Sequence, residues 1–145
     1  MDRIIFVCTG NTCRSPMAEG LFKKIIPEFE GVVLSRGLAG ANGMPPSPQA
    51  VEIMKEYDIH IEKHRSKMIE YSDLSKDTLI LAMTRTHQKV LETAFPEYRS
   101  QIRTLLPFAG GTGDVPDPYG GSLETYRTCA GMLQATIMNI RRKVL

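Results

Sequence analysis

The stretch Cys8-Thr9-Gly10-Asn11-Thr12-Cys13-Arg14-Ser15-Pro16 stands directly after the apolar run Ile4-Ile5-Phe6-Val7, and its reading decides the fold. A short run of β-branched and aromatic residues that stops at a small polar segment reads as a buried strand. Proline is favoured in the first turn of a helix, so Ser15-Pro16 reads as a helix start with Ser15 as N-cap. A strand that passes through a small-residue loop into a helix brings consecutive backbone N–H groups together at the positive end of the helix dipole. Such a cradle takes a tetrahedral oxyanion. The amides that would hold the anion, Thr9, Gly10, Asn11, Thr12, Cys13 and Ser15, also favour the thiolate form of Cys8 at the loop's start. Arg14 then offers a planar fork for two oxygens of the same ligand.

Outward from the loop the elements alternate. Strands are expected over Arg3–Val7, Val32–Ser35, Thr78–Met83 and Ile102–Leu105. Helices are expected over Pro16–Ile26, from Ser47-Pro48 through Tyr57, over Thr86–Phe95 and over Leu123–Lys143. Met17, Leu21, Phe22 and Ile25 give the first helix an apolar stripe at helical spacing, which marks core. Alternation of this kind implies an α/β domain of three layers, a parallel sheet with helices on both faces joined by right-handed crossovers. Ligands of such sheets bind beyond the carboxyl ends of the strands, where Cys8 falls.

A chain of 145 residues without repeats, low-complexity tracts or long linkers is expected to form a single domain over 1–145. With 18 basic and 16 acidic residues the net charge is +2, no footprint for nucleic acid or for an anionic membrane. Arg141-Arg142-Lys143 reads as a solvated helix end whose cations complement the dipole. The apolar run after Met1-Asp2-Arg3 is too short for a signal-peptide core or a membrane span. Three cysteines, an odd number with one in a reactive setting, fit a reducing compartment, so the expected location is cytoplasmic. Nothing in the sequence gives an oligomeric state.

A cysteine at the end of a buried strand is ordinarily a small core residue. The arginine six positions on, with Gly and Asn inside the loop and Ser after it, argues for a nucleophile instead. Attack of Cys8 on phosphorus would form a phosphocysteine and split hydrolysis into two displacements. No metal is expected, since no His/Asp/Glu cluster has ligand spacing and Cys8 with Cys13 makes half a zinc site at most. Asp117, in the loop from Gly110 to Pro118, is the candidate proton donor; an aspartate before proline is also a common solvated turn residue, and Asp114 keeps that reading. Asn11 suits a left-handed backbone position. Cys13 either packs behind the loop or forms a reversible disulfide with Cys8. Cys129 reads as an inert core thiol, and His60 and His87 as surface or packing residues.

Ser35-Arg36-Gly37, His64-Arg65-Ser66-Lys67, the strand Leu79–Met83 with His87 after it, and Asp117-Pro118-Tyr119-Gly120-Gly121-Ser122 accompany the C-x5-R-S-P loop. With them the chain resembles the low-molecular-weight protein tyrosine phosphatases, and the CTGNTCRS form of the loop resembles their bacterial protein arginine phosphatase branch. The resemblance implies a four-stranded sheet of order 2-1-3-4 and a phosphatase that works on phosphorylated proteins without metal or cofactor. It implies Cys8 as nucleophile, Arg14 on the phosphoryl oxygens, Asp117 as general acid and then base, and Ser15 donating to the thiolate. It further implies that Ser35 and His64 form a supporting network behind Asn11 and Ser15.

Members that act on phosphotyrosine usually carry a bulky aliphatic residue where this chain has Thr12, and often a second aromatic where it has Gly120. A phenol ring wants apolar walls, yet there is no Trp and no aromatic in the candidate wall from Leu38 to Pro46. A guanidinium wants acceptors, which Thr12 and Asp117 provide, plus one aromatic face such as Tyr119. Phosphoarginine in proteins is therefore the expected substrate, with phosphotyrosine as the alternative. An arsenate reductase would need further cysteines on a mobile segment, and residues 82–100 have none. A phosphopeptide-binding module would have lost Cys8 or Asp117.

Overall fold

In the computed structural model, which describes residues 1–145, the apolar run forms the middle of β1 (Arg3–Cys8), buried from Ile4 to Cys8. β1 lies between β2 (Val32–Gly37) and β3 (Thr78–Ala82), both parallel to it, and β4 (Ile102–Thr104) extends the sheet beyond β3. The order is β2-β1-β3-β4, all parallel. Five helices complete the chain: α1 (Arg14–Ile25), α2 (Pro48–Lys55), α3 (Arg85–Ala94), the single-turn α4 (Leu105–Phe108) and α5 (Leu123–Val144).

The period of two along a strand divides β1 between two cores. Ile4, Phe6 and Cys8 join Met17, Leu21 and Phe22 of α1, Ile53 and Met54 of α2, and Tyr126, Leu133 and Ile137 of α5 on one face. Ile5 and Val7 join Ile80, Leu91, Phe95 and Ile102 on the other, under α3. The sulfur of Cys8 thus belongs to the α1 face, beside the helix that follows its own loop.

The sheet and helix order agree with the sequence expectation; several boundaries do not. α1 starts at Arg14 with Cys13 as N-cap and no side-chain cap, so Ser15 lies inside the helix and is not its N-cap. Its hydroxyl is committed to Cys8 and Asn11 instead. β2 runs two residues past Ser35 because its pairing with β1 continues to Cys8 opposite Gly37. Leu105 leaves β4 for α4: Pro107 cannot donate to a ladder but fits the first turn of a helix. Tyr57 falls beyond the end of α2, and 3₁₀ turns at Tyr71–Asp73 and Pro96–Gln101 had no clear sequence signal.

The carboxyl edge of the sheet is braced where the Cys8 loop leaves it. Arg36 makes a two-pronged pair with Asp73, Nε and Nη2 each 3.1 Å from a carboxylate oxygen. The Thr9 carbonyl accepts from the N–H groups of Leu38 and Ala39, at 2.8 and 3.0 Å. This approach requires glycine at position 37, where a Cβ would lie 2.9 Å from the Thr9 carbonyl oxygen and 2.6 Å from Met68 Cε. Gly37→Ala is therefore expected to destabilise the protein by about 1–3 kcal/mol, the usual cost of overpacking. Denaturant titration measures it, and an unshifted midpoint would show that the loop backbone yields freely.

Candidate active site

Every backbone N–H from Thr9 through Ser15 is left without an acceptor in the chain. The loop's carbonyls are treated in the opposite way. Those of Cys8 and Thr9 accept from Leu38 and Ala39, that of Thr12 from the N–H of Ser47 at 2.9 Å, and that of Asn11 from His64 Nε2 at 2.9 Å. With the carbonyls occupied by surrounding chain, the amides remain as an anion cradle at the start of α1.

Asn11 holds this path. Its φ of 60° places it in the left-handed region, which Asn tolerates better than most residues. The side chain is wholly buried: Oδ1 accepts from the Lys67 N–H at 2.9 Å and Nδ2 donates to Ser15 Oγ at 2.8 Å. Because Asn11 occupies the Ser15 oxygen as an acceptor, the Ser15 proton is free for another partner. Cys8 Sγ lies 2.9 Å away, closer than the Arg36 carbonyl at 3.4 Å.

Arg14 is buried at 5% exposure, its Nη1 donating to the Val115 carbonyl at 3.0 Å and its Nη2 3.6 Å from Asp117 Oδ2. Val115 is itself tied to the end of β3 through its N–H to the Met83 carbonyl, at 2.9 Å. The other Asp117 oxygen accepts from the Tyr119 N–H at 3.1 Å, and the Asp117 side chain stays 55% exposed. Cys8, Thr9, Gly10, Thr12, Cys13, Arg14, Asp117 and Tyr119 line one cavity of about 250 Å³. A larger polar cleft of about 520 Å³ between α3 and β4, with Arg85, Lys89 and Arg103 on its walls, has no cysteine among its lining residues.

Other sequence expectations are placed differently. Ser35 does not join Asn11 or Ser15; its hydroxyl donates to Glu19 Oε1 on α1 at 2.7 Å. His64 does stand behind Asn11, at the backbone carbonyl. No residue from Leu38 to Pro46 lines the cavity: Leu38 and Ala39 bond the outer carbonyls of the loop, and Ala41, Asn42, Gly43 and Met44 pair with Ser66 and Met68 instead. Asp114 is more than a solvated turn residue: Oδ1 accepts from the Arg85 N–H at the start of α3, at 2.8 Å. Cys13 is a free thiol packed 3.2 Å from Tyr126 Oη and 3.3 Å from Ser47 Oγ. Burial, first of all, pushes the Cys129 thiol up to about 12, in keeping with an inert core residue.

Sequence reasoning missed Glu19, Tyr126 and His87. His87 is buried, with Nε2 2.8 Å from Thr9 Oγ1. Its position just after the carboxyl end of β3, the neighbour of β1 in a parallel sheet, was the available signal. Tyr126 sits at helical spacing among core residues, where nothing distinguishes a tyrosine whose hydroxyl meets a loop thiol.

A parallel sheet with an amide cradle, a thiol and a buried arginine at the carboxyl end of its first strand defines a cysteine-dependent phosphatase. The sequence profile of the family described as low molecular weight phosphotyrosine protein phosphatase matches residues 3–144, and the chain belongs to that family. A protein-arginine-phosphatase of Geobacillus stearothermophilus is 40% identical over 144 residues, 98% of this chain and 95% of that protein. The crystal structure of a low molecular weight protein tyrosine phosphatase from T. tengcongensis, 43% identical, superposes with a TM-score of 0.91 over 99% of each chain. A mutant YwlE arginine phosphatase with a phosphorylated active-site serine, 36% identical, also superposes at 0.91, over 97% of this chain and 94% of that one.

Replacing Asn11 separates its two contributions to the loop. Asn11→Ala loses both side-chain hydrogen bonds and strains a left-handed residue, whereas Asn11→Gly loses only the bonds. Both variants should be destabilised, Asn11→Ala by about 1 kcal/mol more. Equal unfolding free energies would show that φ at this position adapts.

Proposed function

We propose that the protein hydrolyses phosphoarginine in proteins through a phosphocysteine intermediate, with residues 1–145 acting as one phosphatase domain. The observation that carries the substrate assignment is the polarity of the cavity mouth. Thr12 and the half-exposed Asp117 offer oxygen acceptors there, and Tyr119 is the single aromatic among the lining residues. A guanidinium is satisfied by acceptors and one aromatic face, while a phenol ring leaves the acceptors unpaired. The protein-arginine-phosphatase relative supports the same choice. Phosphotyrosine is the second reading, favoured by the exposed Tyr119 ring and by the family's description. A reducing, cytoplasmic setting belongs to the proposal, supported by the free thiols of Cys8, Cys13 and Cys129. No helix is long and apolar enough to cross a membrane.

In this reading Cys8 Sγ attacks phosphorus in line with the leaving nitrogen. The P–N bond breaks, its electron pair stays on the guanidino nitrogen, and protonated Asp117 supplies the proton. The loop amides and Arg14 stabilise charge on the equatorial oxygens, and the Ser15 hydroxyl stabilises the thiolate before attack and as it leaves again. In the second displacement water attacks phosphorus, the P–S bond breaks, and Asp117 takes the water's proton. Tyr119 N–H and Arg14 hold the two carboxylate oxygens of Asp117, which fixes its position at the cavity mouth.

Two substitutions test the proposal. Asp117→Asn should slow hydrolysis by about 10²–10⁴-fold for substrates whose leaving group needs a proton, and by much less for activated aryl phosphates. Equal losses on both would remove Asp117 from the acid role. Thr12→Ile keeps a β-branched side chain but removes the hydroxyl, costing phosphoarginine about 1–3 kcal/mol while adding an apolar wall for a phenol. The ratio of kcat/KM for matched phosphoarginine and phosphotyrosine peptides should move toward phosphotyrosine. A wild type that already prefers phosphotyrosine, or a ratio that stays put, would assign the protein to tyrosine.

A further inference from the structure

Thr9 follows Cys8, lines the catalytic cavity, and has one partner for its hydroxyl: Nε2 of His87 on α3, 2.8 Å away. The imidazole is held from its own backbone, whose N–H donates to the hydroxyl of Thr84, the N-cap of α3, at 3.1 Å. It is 7% exposed, and its Nδ1 is buried with no partner. Burial foremost, then the Arg14 charge, lowers His87 to about 4, against an upward pull from Asp114 and Asp117. At neutral pH the ring therefore carries one N–H. Were that proton on Nδ1, a buried donor would be left unpaired, which folded proteins tolerate less than an unused acceptor. The proton belongs on Nε2, which makes Thr9 Oγ1 the acceptor and leaves the Thr9 proton without a partner in the chain.

We infer that His87 is a positioning residue: by donating to Thr9 it turns the Thr9 hydroxyl into a donor to the phosphoryl group held in the Cys8–Ser15 loop. The inference rests on the phosphatase reading of that loop. The loop already contains one such device, since Asn11 Nδ2 occupies Ser15 Oγ and frees the Ser15 proton for Cys8. Thr9 and Thr12 then have opposite duties. Thr12, whose hydroxyl has only the distant Cys13 sulfur at 3.8 Å, is free to accept from the leaving group. Thr9, already an acceptor from His87, presents a proton, which suits phosphoryl oxygens and would repel a guanidinium.

The test uses an aryl phosphate as substrate and inorganic phosphate as competitive inhibitor, so it does not depend on the arginine assignment. His87→Leu removes the donor and His87→Gln keeps an amide N–H within reach of the Nε2 position; each is combined with Thr9→Val, and melting temperatures confirm folding. The expected result is that His87→Leu lowers kcat/KM and raises the inhibition constant for phosphate, each by about tenfold. In the Thr9→Val background the same change should have an effect under about twofold, and His87→Gln should recover most of the loss. Equal losses in both backgrounds, or no recovery with glutamine, would overturn the inference and leave His87 as packing. If His87→Leu does not fold, Thr9→Val must by itself lose about tenfold and His87→Gln must add nothing to it; any other result again overturns the inference. A wild type inactive on the aryl phosphate would instead overturn the phosphatase reading.

Discussion

Backbone N–H groups in a folded interior are nearly always paired, and leaving one unpaired costs free energy comparable to a lost hydrogen bond. The stretch from Thr9 to Ser15 pairs none of its amides within the chain, and Thr9, Gly10, Thr12 and Cys13 line the cavity beside them. Carbonyls of the same residues are taken up by Leu38, Ala39, Ser47 and His64. The buried amide side chain of Asn11 ties two points that the backbone alone would let drift, the start of α1 and the segment at Lys67. An anion that enters the cavity meets donors whose directions were set when the chain folded, which is the physical meaning of preorganisation here.

The same economy governs the side chains. A hydroxyl can donate and accept, and its direction is set by whichever partner takes the first role. Asn11 fixes the direction of Ser15 in the core of the loop, and Arg14 is aimed by the Val115 carbonyl before any phosphate arrives. Asp117 is held between the Tyr119 N–H and Arg14, so the most exposed charged group of the site is also restrained. Ser15, Arg14 and Asp117 are each oriented by at least one group outside the cavity's own side chains: the Asn11 amide, the Val115 carbonyl and the Tyr119 N–H.

The α/β class and the loop were legible because they rest on local patterns: an apolar run, a small-residue turn, and regular alternation of elements; the strand order followed from the family resemblance and not from those patterns. Cys8, Arg14 and Asp117 share one cavity, as their motifs implied. What was illegible is set by tertiary choice. Ser15 has the composition of an N-cap, yet two partners distant from the helix backbone compete for its hydroxyl and win. Ser35 and Glu19 meet across β2 and α1, a pairing that no sequence period encodes. His87 and Thr9 are brought together only when β1 and β3 become neighbours.

Cys8 meets Ser15 within its own loop, but the groups that brace that loop come from far along the chain. Arg14 reaches the Val115 carbonyl across 101 positions, and Cys13 reaches Tyr126 across 113. A chain emerging from the ribosome therefore presents the Cys8 thiol before α5, and the surroundings of its loop are completed only after that helix has followed. Contacts of such separation also slow folding relative to a fold built of local pairs. The surroundings of the loop are complete only once Val115 and α5 have been made, so a chain that stops short of them carries the thiol and the loop without these contacts.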